Sequence, residues 1–245
     1  MALTLHIGDL NLKIPAQPLT QRAFKGFGDV ISNPRPDLHP HTAASQRHVL
    51  LPNAISANQG TAIQYRNVSR IRNLYNQAPS GKGEPKMSMF ICAARQLKTS
   101  YDGTPEFTVK YLERHPFTTQ TFTPLSSTAF SYLVIVAPSL PPGARDDDLP
   151  VPTLGQDLPG RGLPNLQRLR AFIATADQAV TYGAGTWHAP MVALGEPGTA
   201  LDFVVHQHGS GEAIEDCQLV ELESPGEKEP SVVVSIPRRH RLSKL

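Results

Sequence analysis

Apolar positions along this chain come in short bursts, and the spacing inside each burst is that of strands. Residues 107–114 set Phe107, Val109 and Tyr111 against Thr108 and Lys110, the period-2 alternation of a half-buried strand. Residues 129–137 form a compact apolar run, and residues 87–95 read as a second buried strand. Residues 3–14 alternate imperfectly and predict a strand. Shorter apolar segments at 169–173, 179–182, 191–194, 202–206, 217–221 and 231–236 predict further strands. One short helix is expected after Pro18, running to Phe24 with Thr20 as its N-cap. Residues 32–45, rich in Pro and His, read as a surface loop. So do residues 76–86, and residues 138–167 carry seven prolines, which predicts a long excursion over the surface.

Many short strands with close turn signals predict an all-β fold with minor helices, a barrel or sandwich. Helical crossovers for a parallel α/β sheet are too few. At 245 residues with 40% hydrophobic side chains, one domain spanning 1–245 is expected.

The formal net charge is +2, with no long basic stripe, so nucleic acid is not an expected partner. No apolar run approaches a membrane span, so no membrane partner is expected either. The N-terminus lacks the layout of a secretory signal. Cys92 and Cys217 are too few and too far apart for a disulfide framework, so a reducing compartment is expected. The chain ends Ser243-Lys244-Leu245, with Arg241 just upstream. That tripeptide is the address read by a peroxisomal import receptor. The peroxisome is therefore the expected location, the cytoplasm the alternative, and residues 238–245 a targeting tail.

Three stretches carry candidate chemistry. Asn58-Gln59-Gly60-Thr61-Ala62 is the first. Glu113-Arg114-His115-Pro116, followed by Gln120, is the second. Gly185-Thr186-Trp187-His188-Ala189-Pro190, with the chain's single tryptophan, is the third. In a strand Glu113 and His115 share a face while Arg114 takes the other. Pro116 ends regular pairing, so the group belongs near a strand end. Taken alone, His188 also reads as a hydrogen-bonded core histidine and Glu113-Arg114-His115 as an exposed ion-pair cluster. His206-Gln207-His208 could pair two imidazoles on a strand face, but the glycines at 209 and 211 favour a loop. No GxSxG, Walker, HExxH or GxGxxG motif occurs.

These motifs carry a resemblance. Phe24-Lys25-Gly26-Phe27-Gly28-Asp29-Val30-Ile31, Asn58 to Ala62, Glu113 to Leu125, Leu169 to Ile173 and Val180 to Pro190 run in the order found in ureidoglycolate lyases of allantoin degradation. Asp202-Phe203 and the Glu215-Asp216-Cys217 neighbourhood match too. Segments near 67–86 and 137–167 look like insertions relative to shorter members. The resemblance implies a cupin-like double-stranded β-helix barrel, a homodimer, and cleavage of (S)-ureidoglycolate to glyoxylate and urea. Neither the chemistry nor the residues require a cofactor. A divalent metal, nickel in some members, stays open, although the usual HxH-plus-Glu half of a cupin metal site is replaced here by an ExH pair.

Cleavage needs a base for the hydroxyl proton and an acid for the departing urea nitrogen. His188 is the expected base, an imidazole titrating near working pH, with Glu113 or His115 as acid or orienting group. Arg114 would grip the substrate carboxylate if strand alternation breaks at Pro116; otherwise Arg170 would. Gln120 and Asn58 suit the ureido group, and Tyr182 and Trp187 would wall the pocket. An amidohydrolase releasing ammonia and a non-catalytic cupin-like binding protein are the competing readings.

Overall fold

The computed structural model describes residues 3–125, 127–224 and 231–237; the tail at 238–245, with its Ser-Lys-Leu address, lies outside them. The described chain is all-β with three short helices. The central layer is an eight-stranded sheet. Its strands run Leu3–His6, Gln218–Glu223, Tyr111–Arg114, Trp187–His188, Ser131–Ala137, Arg170–Thr175 and Gln17–Pro18, with Val192–Leu194 also pairing to Ser131–Ala137. One face of this sheet looks at a five-stranded sheet of Gly28–Ile31, Ala179–Tyr182, Gln120–Pro124, Ala200–Gly209 and Glu84–Ala93. Tyr132, Val134, Val136 and Phe172 meet Phe122, Val180, Phe203 and Val205 in the core between them. The other face supports a second core, where Leu112, Ile135, Trp187 and Val220 join Phe107, Val232 and Val234 of a four-stranded sheet. Alternation drives both. Each central strand sends even and odd residues to opposite sides, and both sides are apolar.

Several expectations hold in place. Thr20 caps the Gln21–Phe24 helix by accepting from the Ala23 amide, and the buried strands Ser131–Ala137 and Ala179–Tyr182 form as the pattern requires. Others need correction. Residues 3–14 are two strands in different sheets, split by a turn at Gly8-Asp9. Residues 107–114 are likewise two, Pro105–Thr108 in the four-stranded sheet and Tyr111–Arg114 in the central one. The 32–45 stretch contains a helix, Pro40–Ser45, begun by a proline that supplies the right φ in its first turn. The Glu84–Ala93 strand is not buried: it is the outer edge of its sheet, and Met87 and Ile91 are 75% and 72% exposed. An apolar run cannot by itself distinguish a core strand from an exposed edge strand.

The excursion at 138–167 is present, but it is not a passive loop. Leu149, Leu163 and Leu166 sink into the second core. Gly162 is wedged so closely that a Cβ there would stand 1.8 Å from the Leu140 carbonyl oxygen. His206-Gln207-His208 lies in the ten-residue strand Ala200–Gly209 and not in a loop, because pairing with Glu84–Ala93 continues as far as Gly209.

Candidate active site

The site grows from one cross-strand pair. Glu113 and His188 face each other across neighbouring strands, and Val136 continues the row beyond His188. All three point toward the five-stranded sheet. His115 follows two residues after Glu113, where Pro116 stops the strand, and its carbonyl accepts from the Gly185 amide. That bond draws the two motif stretches together. The His115 and His188 ring centres are 5.5 Å apart, and Glu113 Oε1 is 3.7 Å from His188 Nε2.

Each imidazole is fixed through its Nδ1. That atom lies 2.6 Å from the Asp216 carbonyl in His115 and 2.9 Å from the Thr186 carbonyl in His188. A carbonyl only accepts, so both Nδ1 atoms carry the proton and both Nε2 atoms present a lone pair. Both Nε2 atoms are buried without a partner. The Tyr182 ring stacks on His188 at 4.0 Å, 11° from parallel, which locks the imidazole plane. Burial, reinforced by the neighbouring His115, lowers the His188 pKa to about 3. The ring is thus a neutral lone-pair donor throughout the physiological range, a weak proton acceptor but a good ligand or hydrogen-bond acceptor.

The opposite wall is a polar row across the five-stranded sheet. Gln120 pairs with Tyr182 and donates through Nε2 to Gln207 Oε1 at 2.7 Å; Gln207 in turn pairs with Lys86. Gln120 Oε1 is a further buried acceptor without a partner. Cys217 adds a thiol 3.7 Å from Glu113 Oε2. Burial first, and the Glu113 charge second, push that thiol up to about 12, so it stays protonated and donates.

Glu113, His115 and His188 each bring one ligand atom within 4.8 Å of the others. Two imidazole lone pairs and a carboxylate form the donor set of a divalent transition-metal site. The orphaned Nε2 atoms are what a bound cation would satisfy, so the residues fit such a group.

The family model of ureidoglycolate lyase matches residues 11–229. A ureidoglycolate lyase of Schizosaccharomyces pombe is 34% identical over 215 residues, covering 87% of this chain and 93% of its own length. The Saccharomyces cerevisiae ureidoglycolate lyase is 34% identical over 199 residues, 78% of this chain and 84% of its own. A Burkholderia mallei protein of the same name is 31% identical, over 79% and 81%. The chain belongs to the ureidoglycolate lyase family.

Seen as a ureidoglycolate lyase fold, the motif residues divide sharply by position. Glu113, His115, His188, Gln120 and Tyr182 come together. Arg114 does not join them. Alternation persists through the strand, so its guanidinium lies on the other face, fully buried. There it bonds to Gln218 Oε1 at 2.8 Å and to the carbonyls of Gly160, Arg161 and Gly162. Trp187 lies on that face as well, under Arg114 at 4.4 Å and donating to Gly162 O; it walls the second core and not the reactive cluster. Burial lowers the Arg114 pKa to about 10, against the opposing pull of Asp146, so the guanidinium stays charged.

Arg170 shares the inward row beyond Val136, but its guanidinium donates to the Ala23 carbonyl and lies over Phe172. Asn58 sits at the turn of the Ala54–Ala57 and Ala62–Tyr65 hairpin, which packs on the Pro40–Ser45 helix. Among the described residues, no hydrogen bond links its side chain to the His115–His188 cluster. Gly28, in the Phe24–Ile31 stretch, has a plain structural reason. With φ at +150°, a Cβ there would meet the Thr181 carbonyl oxygen at 1.9 Å. Gln207, Lys86 and Cys217 are site neighbours that the sequence reading missed. A strand reading of residues 200–209 would have turned Gln207 inward by alternation alone.

Proposed function

We propose that this protein cleaves ureidoglycolate to glyoxylate and urea. The observation that carries the reading is the pair of buried, unpartnered acceptors His115 Nε2 and His188 Nε2 gathered with Glu113, with Gln120 Oε1, also buried and unpartnered, on the strand that pairs with Tyr182. Buried polar atoms without partners are costly, and a ligand rich in donors is what relieves them. The substrate, a carbinolamide carboxylate, supplies those donors through its hydroxyl and ureido N–H groups.

The net reaction moves one proton from the hydroxyl oxygen to the departing nitrogen while the C–N bond breaks and the aldehyde carbonyl forms. No water or oxidant is consumed, so one shuttle suffices. Glu113 takes that role: it is a carboxyl group, 23% exposed at the side chain, and within reach of both histidines. It accepts the hydroxyl proton and returns it to the leaving nitrogen. His188, held at a pKa of about 3, stays neutral and offers its Nε2 lone pair to a substrate N–H instead of acting as the base expected from its residue type. His115 lines the same corner with its Nε2 lone pair. Gln120 Oε1 accepts from the ureido N–H groups, and the Gln120–Gln207 bond fixes the amide orientation. A divalent metal held by Glu113, His115 and His188 would take the two Nε2 lone pairs in place of the substrate, leave the second Glu113 oxygen to carry the proton, and supply Lewis acidity at the hydroxyl oxygen. The two facing sheets are read as the walls of a cupin-like barrel.

The direct test is incubation of the purified protein with (S)-ureidoglycolate, with and without a chelator. Equal yields of glyoxylate and urea are expected, with loss of rate on chelation and recovery on adding nickel. Ammonia in place of urea would make the protein an amidohydrolase, and absence of turnover would leave a binding protein. We place the second copy of a homodimer on the exposed edge strand, where Met87, Met89 and Ile91 form an outward apolar row. A Met89→Glu variant that sediments like its parent would exclude that surface. The Ser243-Lys244-Leu245 terminus is expected to carry the chain into peroxisomes, and deleting it to leave a fluorescent fusion in the cytosol.

A further inference from the structure

Among the described residues, no side chain of the reactive cluster offers a cation for the substrate carboxylate. Glu113 brings a carboxyl group, His188 is neutral, and the two arginines of the motif stretches bond elsewhere: Arg114 on the far face of its sheet, Arg170 to the Ala23 carbonyl beyond Val136. A carboxylate brought close to Glu113 without a countercharge would be repelled. We infer that Lys86 supplies this charge and is the residue that binds the substrate carboxylate, an inference resting on the lyase reading above.

The placement follows from register. Gln207 pairs with Lys86 across neighbouring strands, and directly paired residues project from the same face of a sheet. Gln207 faces inward, because its amide bonds Gln120, which is paired in turn with Tyr182, the residue stacked on His188. Lys86 therefore closes an inward polar row, Tyr182, Gln120, Gln207, Lys86, opposite Glu113 and His188. Its Nζ lies 3.6 Å from Asp216 Oδ2. Asp216 is the residue whose backbone carbonyl holds the His115 ring at 2.6 Å, so the ammonium stands one residue away from the cluster.

Asp216 does not exhaust the ammonium. Its carboxylate already accepts from the Tyr75 hydroxyl, the Ser210 amide and hydroxyl, and the Gly211 amide. An ammonium has three N–H donors. The Lys86 side chain is 46% exposed, so it can meet an anion arriving from solvent. The row then reads the substrate end to end, with amides at Gln120 and Gln207 for the ureido group and an ammonium at Lys86 for the carboxylate.

The test compares Lys86→Met and Lys86→Arg with the parent, measuring turnover of ureidoglycolate and calorimetric binding of oxamate, a small carboxylate, and of urea, which has none. The carboxylate is unchanged by the reaction, so its contact contributes equally to ground and transition states. The methionine variant is expected to raise KM about tenfold or more with kcat within about threefold, and to weaken oxamate similarly while urea binding holds. The arginine variant should restore most of the oxamate affinity. A KM within about twofold of the parent, or equal weakening of oxamate and urea, would overturn the assignment. So would an Arg170→Met variant that shows the oxamate loss while Lys86→Met does not. Should the parent release no glyoxylate at all, the lyase reading falls, whereas the oxamate comparison still decides the role of Lys86.

Discussion

The strands Tyr111–Arg114 and Trp187–His188 present two faces that differ in one respect above all. On the inward face, Glu113, His115 and His188 leave two buried ring nitrogens without partners. On the outward face, one residue along, Arg114 donates to Gln218 and three consecutive carbonyls and stacks on Trp187, which itself bonds Gly162. The inward face holds unmet hydrogen-bonding capacity for a ligand. The outward face meets its own capacity and pins the two strands in register. Five neighbouring residues thus serve two purposes, separated only by the pleat of the strand.

The largest effect that would sharpen this contrast is on catalysis. Glu113→Gln keeps size and shape but removes the charge and the proton-carrying capacity. Its kcat is expected to fall by about 10² to 10⁴, with stability changed by less than about 1 kcal/mol. Chemical denaturation and glyoxylate release, measured on the same sample, check both halves. Near-normal turnover would move proton transfer to another group and break the contrast on its inward side.

Arg114→Met should do the reverse. It leaves buried carbonyls at 160–162 and the Gln218 amide oxygen without their charged donor, a loss of about 3–5 kcal/mol in unfolding free energy. The fraction that remains folded should retain a KM close to that of the parent. A large rise in KM with unchanged stability would return Arg114 to the substrate. A weaker version of the same test is Gly162→Ala. The added methyl meets the Leu140 carbonyl oxygen, so a loss of about 1–3 kcal/mol is expected, read by the same denaturation curve and without a direct effect on chemistry.

How far the sequence revealed this arrangement depends on what each residue bonds to. Alternation placed Glu113 and His115 on one face and Arg114 on the other, because the strand period is local and Pro116 marks its end. The partner of Arg114 was invisible, since backbone carbonyls of a proline-rich segment carry no side-chain signature. The apolar run at 87–95 suggested burial, and its exposure depends on which strand stands at the sheet's edge, a property of topology and not of composition. The glycines after His208 hid a strand that pairing with Glu84–Ala93 sustains, and with it the inward turn of Gln207 and Lys86. The all-β class itself was legible from turn spacing alone, whereas the splitting of residues 107–114 between two sheets was not, because Val109 is buried on either reading.

The smallest expected effect concerns Asn58, whose amide the motif pattern assigned to the ureido group. It occupies a left-handed conformation, φ +47°, beside Gln59 at +57°, a region open to Asn and Gly at low cost. Its motif is thereby explained as turn chemistry on an outlying hairpin. Asn58→Gly removes the amide and keeps the backbone, so kcat/KM should stay within about twofold of the parent, under about 0.5 kcal/mol. A drop of tenfold or more would mean that the hairpin reaches a reactive cluster after all. Because its neighbours within the chain are its own strands and the Pro40–Ser45 helix, that cluster would belong to a second copy. Mixing Asn58→Gly chains with Glu113→Gln chains would then decide the matter, since activity recovered in mixed dimers requires one chain to complete the site of the other.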